Sequence, residues 1–361
     1  MNNISRIQDA LARRGLDAIV LTDEKNQRYA CGFPFTDGFV VVAREKAWLL
    51  TDSRYIEAAE MAAGGCCTVQ MFDVQHPLSE LLGAALKECG AEKVAAEDEK
   101  LCRARWASLE KLLGRELLGA GDLMGELRAS KSEEEIASLI RAQRISEKAL
   151  EEVLPLIRPG MTEKEVMAEL VYHMLKNGSE GNSFDPIVVT GAKTSMPHGV
   201  PGDNVIRAGD FVTMDFGSLA DGYCSDMTRT VAVGHATEEM RNVYAIVLEA
   251  QLAGIAAARS GVPGKVIDGA ARAVIEKAGY GPYFGHGFGH SLGLDIHEAP
   301  NAGPRGEAPM AVNDVCSAEP GIYLPGKFGV RIEDVMIIRP EGAEVITKAP
   351  KMDLIVLNNR A

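Results

Sequence analysis

The chain has 361 residues, 46% of them hydrophobic, with 38 basic against 51 acidic side chains and a net charge of −13. That length and composition set an expectation of two globular domains, each large enough for its own core. The acidic balance argues against nucleic acid as a partner, and no apolar run reaches the roughly eighteen residues that a membrane span needs.

In chain order, Ile4–Arg14 reads as a helix, Ala18–Leu21 as a strand, and 39–43 with 47–50 as a strand pair. A helix over 53–63 follows, capped by Asp52 or Ser53, then a strand at 68–72, a helix at 78–89, a strand at 93–96 and a helix at 101–113. This alternation predicts a small mixed-sheet α/β domain over residues 1–125. The Gly- and Ser-bearing stretch 119–132 reads as a linker, and a second domain spans 126–361. Ser132 followed by Glu133-Glu134-Glu135 begins a long helix, with the three acids expected in solvent. The polar start of the chain lacks a signal-peptide core. Seven cysteines without framework spacing and without CxxC predict reduced thiols and a cytoplasmic location. Cys224 and Cys316 read as buried small residues.

The second part carries a faint repeat. Arg158-Pro159-Gly160 and Lys176-Asn177-Gly178 recur as Arg259-Ser260-Gly261 and Lys277-Ala278-Gly279. In each copy a helix stops at a glycine, a second helix follows, and another glycine stops that one. The repeat predicts two similar halves related by pseudo-symmetry, with a site at their seam.

Within the first half, Asp215 and Asp226 lie in a run that reads as a hairpin around Leu219-Ala220-Asp221-Gly222. A turn centred on Ala220-Asp221 sets the two acids directly opposite, whereas one centred on Asp221-Gly222 makes them diagonal neighbours. Either register leaves both carboxylates on one face. Like charges so placed are destabilising unless a cation lies between them, which makes the hairpin half of a metal site. Later in the chain come His286 and His290 in a Gly-rich stretch, His297-Glu298, Glu319 before a Pro-Gly turn, and Arg331 alternating with Glu333 on a strand over 330–338. His198 follows Pro197. Taken singly, most of these have ordinary structural readings, and Glu298, His76, His173 and His235 keep them.

The ordered set Pro197-His198-Gly199, Asp215, Asp226, His290, Glu319, Glu333 resembles the metal-dependent pita-bread peptidases, and within them Xaa-Pro aminopeptidases and Xaa-Pro dipeptidases (prolidases). The resemblance runs from about residue 130 to the end. It implies an α+β catalytic domain with a curved antiparallel sheet, preceded by a creatinase-like N-terminal domain. It also implies two divalent cations, with Asp215 on one, His290 on the other, Asp226 and Glu333 bridging, and Glu319 both ligating and handling a proton. His198, His286 and His297 would surround the substrate, Arg331 would orient an acid or the substrate, and Thr228 would support the ligands. Four carboxylates and one imidazole favour harder ions, with manganese expected and cobalt, iron or zinc compatible. A water between two such ions would be the nucleophile.

The implied reaction removes an N-terminal residue that precedes proline, and family members commonly form homodimers. Prolidase-like members often carry a basic residue soon after the His-Glu motif. Here Asn301 stands there, with Arg305 close by, so aminopeptidase P-like action on longer peptides is expected, with prolidase action as the alternative. Methionine aminopeptidase shares the ligand set but typically lacks a domain like residues 1–125. Creatinase-like enzymes lack the two metals, and a non-catalytic binding protein on the same fold would have lost ligands.

Overall fold

The computed structural model describes residues 2–358, and the chain divides into two compact units, Met1–Arg128 and Ala129–Ala361. The first comprises α1 (Ile4–Arg14), β1 (Ala18–Leu21), α2 (Glu24–Cys31), β2 (Gly38–Ala43), β3 (Ala47–Thr51), α3 (Ile56–Ala63), β4 (Thr68–Met71), α4 (Leu78–Glu88), β5 (Val94–Ala96), α5 (Arg103–Leu113), β6 (Leu118–Gly119) and α6 (Leu123–Ala129). Its six-stranded sheet has the order β4-β3-β2-β1-β5-β6. Pairing is antiparallel for β1–β2 and β2–β3 and parallel for the other pairs. This is the mixed α/β layer that the alternation predicts.

Three local readings differ from the sequence expectation. The stretch read as a linker contains α6, which buries Leu123, Met124 and Leu127. The Tyr29 hydroxyl donates to Leu127 O at 3.0 Å, and Arg128 Nη1 donates to Asn26 Oδ1 at 2.8 Å. Helix α2 has no predicted counterpart, because the residues it buries include Asn26 and Gln27. Gln27 Nε2 donates to Leu21 O at 3.0 Å and Gly38 O at 2.9 Å, so an amide does there what an apolar side chain usually does. Helix α3 begins at Ile56, and Asp52 caps nothing: it accepts from the Arg54 amide and pairs with the Arg54 guanidinium.

The second unit opens with α7 (Glu133–Val153) and α8 (Glu163–Lys176), each begun by a reciprocal Ser or Thr to Glu capping box. One of the three acids expected in solvent is not there. Glu135 is buried and accepts from the Tyr223 hydroxyl at 2.9 Å. Then follow β7 (Ile187–Thr190), β8 (Phe211–Phe216), β9 (Leu219–Ala220), β10 (Tyr223–Cys224), β11 (Met227–Val233), α9 (Glu238–Ala257) and α10 (Gly264–Lys277). The chain ends with β12 (Gly289–Ser291), β13 (Glu298–Ala302), β14 (Val315–Ala318), β15 (Gly321–Leu324), β16 (Phe328–Arg331), β17 (Asp334–Ile338), β18 (Ala343–Val345) and β19 (Val356–Leu357).

Strands β19-β11-β8-β7 form one sheet and β13-β12-β14-β17-β18 another. Each has its own apolar core, one including Leu150, Val166, Leu170 and Met214, the other Val247, Ile267, Phe288 and Met336. The faint repeat has a structural echo. Gly160 N donates to Ile206 O at 3.0 Å and Ile206 N to Met161 O at 2.8 Å. In the other half Gly261 N donates to Met310 O at 2.8 Å and Met310 N to Val262 O at 3.0 Å. Both glycines have positive φ, 96° and 83°, but they lie in the turns after the helix ends at Val153 and Ala257 rather than at those ends. The strand read over 330–338 is two strands. β16 pairs with β15 and β17 with β14, and the chain passes from one pair to the other at Ile332-Glu333.

Candidate metal centre

Asp215 and Asp226 are placed by one hairpin. β8 and β11 run antiparallel with Asp215 opposite Thr228, and Ala220 opposite Tyr223 in β9–β10 keeps the same register. The turn residues Asp221 and Gly222 both have positive φ, 50° and 77°, the two-residue geometry that matches strand twist. The centring on Asp221-Gly222 is therefore the one adopted, and Asp226, two before Thr228, is the diagonal neighbour of Asp215.

Across from the hairpin, the β12–β13 ladder shifts register between His290 and Ser291. His290 Nδ1 lies 3.2 Å from Ser291 O, which assigns the ring proton to Nδ1 and leaves Nε2 with its lone pair. That Nε2 faces Asp226 Oδ2 at 3.5 Å and Glu319 Oε1 at 3.3 Å. Glu319 is held by its amide donating to Phe288 O at 2.7 Å and by the Ser317 hydroxyl donating to Oε1 at 3.1 Å. Ser317 Oγ also accepts the His290 amide at 3.0 Å, so one hydroxyl ties two of the donors together. Glu333 lies at the break between β16 and β17, its Oε2 accepting from Thr228 Oγ1 at 2.7 Å.

One ligand atom each from Asp226, His290 and Glu333 lies within 4.8 Å of the others. Asp215 stands outside this tightest group, its Oδ2 paired with Arg331 Nη2 at 2.5 Å. Asp215 Oδ1 and Asp226 Oδ1 are buried without a hydrogen-bond partner. Burial, joined by repulsion from Asp215 and Glu319, pushes the Asp226 carboxyl well above its ordinary range. Glu333 is driven up by burial and by Asp226, and Glu319 by burial and then Asp215 to about 7, against the lowering effect of Arg331. Buried carboxylates that repel one another, with orphaned oxygens beside a lone-pair imidazole nitrogen, fit divalent cations of the harder type.

The other expected residues gather around this cluster. His286 Nδ1 donates to Gly287 O at 2.9 Å, so Nε2 accepts from the Tyr323 hydroxyl at 2.8 Å. Burial and then the Arg331 charge lower the His286 pKa to about 4. Tyr323 in turn accepts from Arg331 Nη1 at 2.9 Å. Arg331 Nε donates to Thr228 Oγ1 at 3.0 Å and Nη1 to Pro197 O at 3.3 Å. The His297 ring lies 4.2 Å from that of His290, and burial lowers its pKa. His198 is exposed at the rim.

The nine residues expected from the sequence as metal ligands or catalytic groups (His198, Asp215, Asp226, His286, His290, His297, Glu319, Arg331 and Glu333) line one cavity of about 1200 Å³. Phe184, Asp185 and Ile187 of its wall, and Tyr323 and Ser317 behind it, carry no sequence expectation. Tyr323 sits opposite Gly329 in the β15–β16 pair, where a Cβ would come within 2.9 Å of its ring. A large residue facing a glycine was the available signal. Cys224 and Cys316 are buried and in no disulfide, as expected.

Residues 137–340 match the model of Metallopeptidase family M24, and residues 3–130 that of the Creatinase/Prolidase N-terminal domain. An Xaa-Pro dipeptidase from Bacillus anthracis is 41% identical, with a TM-score of 0.92 over 98% of this chain and 99% of that one. An X-Pro aminopeptidase from Thermotoga maritima is 35% identical, with a TM-score of 0.90 over 99% and 100%. The Xaa-Pro dipeptidase of Pyrococcus horikoshii is 33% identical over 96% of this chain and 97% of its own length. With its paired sheets, N-terminal α/β unit and acid-rich centre, the chain belongs to the pita-bread peptidases of Metallopeptidase family M24.

Proposed function

We propose that the protein is an Xaa-Pro dipeptidase, cleaving the bond between an N-terminal residue and a C-terminal proline. The observation that carries the dipeptide preference is Arg305. It lines the cavity and its guanidinium has no ion-pair or hydrogen-bond partner among the described residues. A free cation in the cavity wall suits a proline carboxylate, and it offsets the expectation raised by Asn301. The names of the Bacillus anthracis and Pyrococcus horikoshii relatives support the same reading. A second reading, aminopeptidase P-like action, is favoured by the cavity volume of about 1200 Å³, which exceeds what a dipeptide fills, and by the name of the Thermotoga maritima neighbour.

Asp215, Asp226, His290, Glu319 and Glu333 would hold two divalent cations, manganese by preference of the donor set. When bound, these supply Lewis acidity toward the scissile carbonyl and acidify the attacking water. Glu319 takes up at its carboxylate the proton that the attacking water gives up, and returns it to the departing proline nitrogen. That nitrogen belongs to a tertiary amide without an N–H, so it needs a proton delivered to it. His297 and His198 face the carbonyl oxygen and stabilise the charge that develops there. Arg331 fixes Asp215, and Phe184 and Ile187 offer the pyrrolidine ring an apolar wall. Homodimer formation and a cytoplasmic location belong to the same reading and rest on the family resemblance and the thiol content.

The test offers Ala-Pro, Ala-Pro-Ala and Met-Ala-Ser to manganese-loaded protein side by side. Preference for Ala-Pro that Arg305→Ala removes supports the dipeptidase reading. Preference for Ala-Pro-Ala, unchanged by Arg305→Ala, moves the assignment to aminopeptidase P. Cleavage of Met-Ala-Ser alone overturns the proline requirement.

A further inference from the structure

Glu298 directly follows His297 and opens β13 opposite Ser291, the residue after His290. It is therefore next to His297 along the chain, while across the ladder it faces the neighbour of His290, whose own partner is Asn301. Its side chain is 7% exposed, with Oε1 accepting the Asp295 amide at 3.1 Å and Oε2 accepting Lys131 Nζ at 3.0 Å. The Lys131 side chain is 1% exposed. Lys131 is fixed in its turn, its amide donating to Asn313 O at 3.0 Å and its carbonyl accepting from Asn313 Nδ2 at 3.1 Å. The turn before His297 packs on the same carboxylate, since a Cβ at Gly293 would come within 2.6 Å of it.

A buried ion pair contributes little net stability, because desolvation offsets the attraction and an apolar pair of similar volume does as well or better. This pair has a geometric use instead. We propose that Lys131 and Glu298 are positioning residues, whose buried ion pair locks the 293–298 turn so that the His297 imidazole is held over the metal centre. The inference rests on the reading that His297 faces the scissile carbonyl. The lysine is anchored to a segment remote in sequence, so the turn cannot rock without separating the pair. An imidazole displaced by about an ångström loses much of its effect on a developing charge while substrate still binds.

The test compares wild type with Lys131→Met/Glu298→Leu and with the milder Glu298→Gln, all loaded with manganese and assayed on Ala-Pro and Ala-Pro-Ala. The double variant replaces the pair with apolar side chains of similar length. It should keep its melting temperature and manganese stoichiometry while kcat falls about tenfold or more and KM stays within about threefold. Wild-type kcat in the folded double variant overturns the inference. Should that variant fail to fold, Glu298→Gln decides on the same criterion. The second readout is the ring carbon–proton NMR signal of His297 in zinc-loaded protein, assigned through His297→Asn. It should shift or broaden in the variants while the signals of His76 and His173 stay in place, and an unmoved His297 signal refutes the positioning role. Wild type inert toward both peptides refutes the parent reading instead, and the NMR comparison still judges this one.

Discussion

Thr228 is the residue whose replacement tests the construction of the metal centre most cleanly. Its hydroxyl donates to Glu333 Oε2 at 2.7 Å and accepts Arg331 Nε at 3.0 Å, in a fully buried setting. Thr228→Val keeps the shape and removes both bonds. A hydrogen bond to a charged group contributes about 1.5–3 kcal/mol, so loss of the hold on Glu333 alone should weaken cation binding by about ten- to a hundredfold. The same range is typical when the residue supporting a metal ligand is removed. Calorimetric titration of metal-stripped Thr228→Val with manganese should show that loss, and Thr228→Ser, which keeps the hydroxyl, should restore most of it. Wild-type affinity in Thr228→Val would refute the claim that Glu333 is oriented through Thr228.

Three further outcomes are expected. The Glu319 carboxyl is raised in the folded chain, so the native state holds its proton where the unfolded state has lost it, and this group costs stability as pH rises from about 4.5 toward 7. In metal-stripped protein the melting temperature of Glu319→Gln relative to wild type should therefore climb between pH 5 and pH 7.5, by an amount on the order of 3 kcal/mol in stability; a flat difference contradicts the raised carboxyl. Arg331→Lys keeps the charge but cannot reach Asp215, Thr228 and Tyr323 together, so kcat/KM should drop about a hundredfold or more, and steady-state kinetics within tenfold of wild type would show the fork is dispensable. Gly222→Ala forces a side chain into φ 77° and should cost about 1–2 kcal/mol in denaturant unfolding without loss of cation affinity.

Much of the cluster was legible because its side chains sit where sequence patterns are strongest. The Asp215–Asp226 hairpin shows through strand alternation and a turn pair that tolerates positive φ, and only its register needed coordinates. Helix α1 was legible for a similar reason, since Ile4, Ile7 and Leu11 mark a helical face and Gly15 ends it in the left-handed region. The misses share another cause: polar groups satisfied inside the protein. Gln27 in α2 is buried on the carbonyls of Leu21 and Gly38, and Glu135 in α7 on the Tyr223 hydroxyl, and hydrophobic periodicity records nothing about partners. The strand over 330–338 failed differently. Alternation continues through Ile332-Glu333 although hydrogen bonding passes from β15 to β14 there, and that passage is what puts Arg331 and Glu333 on the two sides of Thr228.

The central claim is that a dinuclear cation site built on Asp215, Asp226, His290, Glu319 and Glu333 drives peptide hydrolysis. The most direct measurement is the metal content of the chain, read together with Ala-Pro hydrolysis, as manganese is returned to chelator-stripped protein. Activity that is absent after stripping and rises to a plateau at two equivalents per chain, with neither binding to plateau nor turnover in Asp226→Asn, is the predicted result. Hydrolysis that survives complete stripping, or full metal binding in Asp226→Asn, would contradict it.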